Sequence, residues 1–345
     1  MGDIKMLSHH RYGWIDFAKA IAIMAVILDH SFGLLYTSQT FQLHTVFSVT
    51  LFVLLSGITS SIAINRNPKI NKQIIMKRLS RILVPYFFAT AIIITYYNNF
   101  VFDYRIFYNR LLYFSASGQF YFIVFFIQLV VVAPFLFIIF KKQQNNIYLQ
   151  AVFLFLAYIL SLLFLHNTLI GDFYGGAIYL FGGSYFFVFC MGIIIYTHLE
   201  KLNSRRANFS ILAISLLLLF VVEWFGLIDR SWANPPNKFT IVYMLVVLGL
   251  IFSLSNLISL KNMILKRIIG FINYLGQNSL YIFLYHYMFL DICKKSKVLS
   301  DISLNYKPIY FICVFVISLV SPLIIPISGR YLKKYYSYLK SQIVA

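Results

Sequence analysis

Apolar runs long enough to cross a bilayer recur along the chain at about 15–36, 46–64, 82–98, 120–140, 147–165, 176–197, 209–225, 239–258, 277–292 and 308–328, with short polar breaks between them. The pattern predicts an all-α polytopic membrane protein, a bundle of about ten transmembrane helices. The ninth run contains His286 and ends at Asp291, so a short, broken or tilted helix is expected there. The first run is long enough to span and is followed at once by another, which reads as a retained helix and not a cleaved signal. The expected division is a tail over 1–14, a transmembrane domain over 15–328 and a second tail over 329–345. No connecting segment is long enough to fold as a separate domain, and no internal repeat is visible.

Composition agrees with this pattern: 61% of residues are hydrophobic and only 11% charged, against about 45–50% and 25% in soluble domains. A net charge of +19 raises the question of nucleic acid, but the distribution of the charge answers it. With the N-terminus placed in the cytoplasm, both tails and the alternate loops around Arg66 to Arg81, Lys141 and Lys142, Lys201 to Arg206 and Lys261 to Arg267 carry 20 of the 29 basic residues. Eight fall outside, and Lys19 lies within a span. The positive-inside rule therefore selects cytoplasmic termini, and the basic charge reports membrane topology.

Against this apolar background the ionisable residues are the informative ones. Lys19 and His30 are eleven positions apart, which returns them to within about 20° on one helical face and separates them by roughly 16 Å along the axis. Intramembrane ionisable groups usually face a bundle interior or a water-filled cavity and point to function. The plainer alternative is a snorkelling lysine and a histidine that satisfies a neighbouring helix. In this orientation Lys19 lies about one turn inside the cytoplasmic surface, and His30 lies past the midplane. Arg78 and Arg81 share a face where a basic cluster enters the third span, on the same side as Lys19. With Lys19 they would form an anion funnel, or else serve as ordinary positive-inside decoration. Ser56-Gly57 is a small-residue step suited to close helix packing, which would bring the second span against the first.

His286 is a second imidazole in an apolar helix, flanked by tyrosines. Asp29 adjoins His30 in sequence but lies about 100° round the helix, a doubtful direct partner. His9, His10, His44, His166 and His198 fall in tails or at helix ends. Cys190, Cys293 and Cys313 show no metal-ligand spacing and read as packing residues. No metal motif, phosphate-binding loop or Ser/His/Asp order is present.

Four separated segments, in order, resemble the membrane acyltransferase family 3, and especially its branch of fucose 4-O-acetylase-like polysaccharide acetyltransferases. Ile15-Asp16-Phe17-Ala18-Lys19 through His30 resembles that family's first helix, and Leu51-Phe52 to Ser56-Gly57 its Phe-Phe-x-x-Ser-Gly segment. Arg78-Leu79-Ser80-Arg81 into Pro85-Tyr86 resembles its Arg-x-x-Arg run, and Asn278-Ser279-Leu280 to His286 its late histidine helix. The length and ten-span layout agree as well. Ser48, where the branch commonly has His, and Tyr121, where Trp is usual, depart from the pattern and weaken assignment to that acceptor.

The resemblance implies an O-acyltransferase that takes an acyl group, first of all acetyl, from cytoplasmic acetyl-CoA or another acyl-CoA. The acceptor would be a hydroxyl of a cell-surface glycan or lipid-linked sugar. Lys19, Arg78 and Arg81 would hold the coenzyme phosphates. His30 would act as general base, a role suited to an imidazole near neutral pH, or carry the acyl group as an acyl-histidine. His286 would orient the acceptor or assist the proton transfer. No metal and no nucleic acid are implied, membrane lipids surround the protein, and a homo-oligomer fits the reading. The expected location is a multi-pass position in the cell membrane, bacterial plasma membrane first. The competing class is a transporter or flippase of a lipid-linked sugar or acyl group, whose path the same residues would line.

Overall fold

The computed structural model describes residues 12–66, 72–228, 234–257 and 263–331; both tails beyond these limits, with His9 and His10, lie outside the described residues. The described chain is helical: α1 (Gly13–His30), α2 (Gln39–Leu43), α3 (Phe47–Arg66), α4 (Lys72–Tyr97), α5 (Tyr104–Leu112), α6 (Tyr121–Lys142), α7 (Ile147–Leu165), α8 (Thr168–Phe173), α9 (Phe186–Thr197), α10 (Leu199–Leu202), α11 (Arg205–Trp224), α12 (Lys238–Leu257), α13 (Met263–Gln277), α14 (Ser279–Lys295), α15 (Lys297–Asn305) and α16 (Lys307–Val320).

Helix occupies each of the ten apolar runs, and among the described residues seven helical stretches are long and apolar enough to cross a membrane. The chain is therefore an integral membrane protein with multiple spans. Three runs fall outside that set of seven for local reasons. α1 carries Asp16, Lys19 and Asp29 within its 18 residues. The sixth run opens with two 3-10 turns, which leaves 12 residues of regular helix in α9. The ninth run is α14, 17 residues long with Asp291, Lys294 and Lys295 near its end.

α1 and α3 form the centre of the bundle. α1 is surrounded by α3, α12, α13, α14 and α16, and α3 by α1, α6, α9 and α12. Of the central window of the α3 stretch 78% is buried, against 17% for α7 and α11, whose large apolar side chains face outward as lipid-exposed helices require. Small residues set the closest approaches. A Cβ on Gly57 would run into the Phe189 carbonyl and one on Gly192 into the Leu54 carbonyl, so α3 and α9 pack backbone to backbone. The Ser56-Gly57 step thus serves the contact with α9, where the sequence suggested α1. Gly276, at the end of α13, similarly lies against the Asp16 carbonyl of α1.

α1 stops at His30, six residues short of the apolar run that contains it. Ser31 Oγ donates to the Leu28 carbonyl at 2.8 Å, Tyr36 Oη donates to the same carbonyl at 2.8 Å, and Gly33 adopts φ +79°. These contacts satisfy and turn the chain where a further helical turn was expected. The returning segment is tied back to the end of α1: Gln42 Nε2 and Thr45 Oγ1 donate to Asp29 Oδ1 at 3.2 and 3.1 Å. Asp29 therefore anchors the α1–α3 connection.

Candidate active site

The end of α1 brings His30 to the middle of α14, where its ring centroid lies 5.3 Å from that of His286. The two imidazoles differ in environment. His286 has 0% of its surface exposed, whereas His30 is partly exposed and is the member that a molecule entering from outside the protein can touch. His286 Nδ1 lies 2.8 Å from the Phe283 carbonyl and 3.2 Å from the Ile282 carbonyl. Both are acceptors, so Nδ1 carries the proton of the neutral ring and Nε2 keeps its lone pair. That buried Nε2 has no hydrogen-bond partner among the described residues. A fixed tautomer with an unengaged lone pair beside a second imidazole is an arrangement suited to taking up or passing on a proton.

Two further side chains hold this pair, and neither stands out in the sequence. Tyr287 stacks edge-on against both rings, 5.2 Å from His30 and 6.0 Å from His286. Gln119, fully buried in the 3-10 turn before α6, donates from Nε2 to the Leu284 carbonyl at 3.1 Å and receives the Ser117 hydroxyl at 2.5 Å. It thereby pins the α14 backbone next to His286. Its position inside Gly118-Gln119-Phe120 was the available signal; a buried amide in an apolar context needs partners.

Lys19, Arg78 and Arg81 belong to the opposite half of the bundle. Lys19 is the seventh residue of α1, Arg78 the seventh of α4, and Ser60 the seventh from the end of α3. Arg78 Nη2 donates to Ser60 Oγ at 2.5 Å, while its Nη1 is buried and makes no hydrogen bond among the described residues. Arg78 is half-buried and Arg81 exposed, one turn further along α4. Among the described residues, the face of α1 between the basic tier and the histidine pair is packed. Ala22, Ile23 and Val26, on the face between Lys19 and His30, are 0%, 0% and 2% exposed, a packed apolar layer.

The chain matches the acyltransferase 3 family, described as an acyltransferase domain, over residues 12–326. It belongs to that family. No curated protein and no solved structure matches the chain.

The match begins at the residue before α1 and ends after α16, so it takes in the histidine pair and the basic tier alike. Membership implies acyltransferase activity and an acyl donor. Within this acyltransferase Cys190 and Cys293 are buried and Cys313 half-buried, all three as free thiols. The nucleophile-activating groups that meet in the bundle are imidazoles.

Proposed function

We propose that this acyltransferase moves an acetyl or related acyl group from cytoplasmic acyl-CoA to a hydroxyl of a cell-surface or lipid-linked glycan, an O-acyl transfer across a bacterial plasma membrane. The observation that carries this reading is the meeting of His30 and His286 at 5.3 Å within a bundle of the acyltransferase 3 family. His30, the accessible ring, removes the proton of the acceptor hydroxyl as its oxygen attacks the thioester carbonyl, and coenzyme A leaves as the thiol. His286, with Nδ1 held by two carbonyls, offers Nε2 to orient the hydroxyl or to take up the proton from His30. Lys19, Arg78 and Arg81 hold the coenzyme phosphates on the cytoplasmic side, where the unspent Nη1 of Arg78 is a donor suited to an anionic ligand.

The separation of the two tiers, roughly 16 Å along α1, is bridged by the thin pantetheine arm of the donor. Ala22, Ile23 and Val26 pack across that face of α1, so the arm has to pass beside them or part this layer. Purified protein incubated with radiolabelled acetyl-CoA and a glycan acceptor tests the reading. Release of free thiol with label on the acceptor, lost in His30→Ala, supports it. Full transfer in His30→Ala, or movement of a lipid-linked sugar without thioester consumption, rules it out.

A further inference from the structure

A cleft of about 690 Å³ lies between α4 and α14, away from the basic tier at Lys19. Its volume is in the range of roughly 300–1,000 Å³ typical of pockets that enclose a small ligand. Ala91, Ile92, Phe100, Met288 and Ile292 make its walls, and Ile92 and Ile292 stay 42% and 37% exposed. Polar groups gather at one end only, where Thr95, Tyr96, Lys295 and Ser296 form the rim. An apolar slot with a polar end suits an amphiphile, a chain with a polar head.

The head is specified by charge. Lys295 Nζ lies 2.6 Å from Asp291 Oδ2 and sits over the rings of Tyr96 and Tyr97, 5.3 and 5.6 Å from their centroids. Tyr96 Oη donates to the same Asp291 oxygen at 2.9 Å. These contacts fix the ammonium at the rim, with donors directed to Asp291 and Tyr96 and one remaining to offer to a ligand. Lys294 and Lys297 flank it in sequence and are exposed. Asp291 pairs with Lys295, and Lys294 and Lys297 add two further positive charges on the side where the positive-inside rule disfavours them, a net positive rim suited to an anionic head.

His286 lies further down the same helix, α14. Tyr287, Asp291 and Lys295 recur at every fourth residue along one side of α14, and Tyr287 touches His30. A head group at Lys295 therefore lies about 12 Å along the helix axis from Tyr287.

We infer that the α4–α14 cleft binds the phosphate-headed lipid anchor of the acceptor, with the chain between Ile92 and Ile292, the phosphate at Lys295, and the attached sugar directed past Asp291 towards Tyr287 and His30. This rests on the acyl-transfer reading for the identity of the acceptor, while the lipid site itself can be read without any activity.

The test uses the full chain in phosphatidylcholine nanodiscs, with a polyprenyl phosphate as probe and native mass spectrometry as readout. Wild-type protein is expected to retain the probe against an equal amount of phosphatidylglycerol. Each of Lys294→Gln and Lys295→Gln should weaken retention about fivefold, and Ile292→Trp, which fills the cleft, should abolish it. If Ile292→Trp does not fold, the double lysine variant decides. Equal retention by wild type and that variant, or displacement by phosphatidylglycerol as effective as by unlabelled probe, overturns the site. Thiol release from acetyl-CoA with a soluble glycan and with a polyprenyl-linked one, measured in parallel, keeps the two claims apart. Its presence without probe binding sinks the lipid site alone; its absence with probe binding sinks the transfer reaction alone.

Discussion

His30, the last residue of α1, and His286, in the middle of α14, hold their imidazole rings 5.3 Å apart at a mutual tilt of 37°. The two rings are unequal: one is reachable, and the other is sealed and held in one tautomer by its own helix.

That inequality predicts different outcomes for the two histidines. His30→Ala should lower turnover by about 10²–10⁴-fold, the usual contribution of a positioned general base, with donor KM nearly unchanged. His286→Gln should lower turnover as well, with little change in thermal unfolding, because the Ile282 and Phe283 carbonyls keep their helical N–H partners. Steady-state kinetics on purified protein, with an unfolding scan in the same detergent, checks both.

Arg78 is expected to act on donor binding. Arg78→Ala should raise the KM for acyl-CoA by about tenfold or more with turnover largely retained, the scale of one charge-assisted hydrogen bond. Ser60→Ala, which frees the guanidinium from its 2.5 Å contact, should raise KM by a smaller factor. Unchanged KM in both would place the phosphates elsewhere.

Gly57 and Gly192 set the separation of α3 and α9. Gly57→Val and Gly192→Val should each destabilise by about 1–3 kcal/mol, since each added side chain meets a carbonyl oxygen that cannot withdraw without moving a helix. A lowered unfolding midpoint is the readout; an unchanged one would mean that the helices separate freely.

Asp29 is expected to matter for the α1–α3 connection through Gln42 and Thr45. Asp29→Asn keeps an oxygen that can accept from both and should change stability by less than about 1 kcal/mol, whereas Asp29→Leu leaves the buried Gln42 amide and Thr45 hydroxyl without that acceptor and should cost about 1–3 kcal/mol. Thermal unfolding of the two variants side by side distinguishes them.

Much of this protein is legible in its sequence. Long apolar runs in lipid must close their backbone hydrogen bonds internally, so hydropathy alone specifies helices across the ten runs. A histidine in such a run is costly enough to mark itself, which is why His30 and His286 stood out one by one. Gln119 and Tyr287 did not, because an amide at a helix start and a tyrosine in an apolar helix have many ordinary uses; only their contacts with the α14 backbone and the two rings distinguish them. The end of α1 at His30 was also hidden, since Ser31 to Tyr36 is apolar enough to continue the helix and turns only because Gly33 and the two hydroxyls bonded to the Leu28 carbonyl make the turn favourable.

The membrane class, the helical runs and the residues whose burial needs a reason follow from local transfer free energies and helical period, and so can be read along the chain. Tertiary structure alone decided that α3 meets α9 through Gly57 and Gly192, that Asp29 anchors a connection, and that His30 and His286 face one another. Those facts depend on how helices far apart in the chain pack side by side, and hydropathy, which counts only what is removed from water, carries no information about which neighbour removes it.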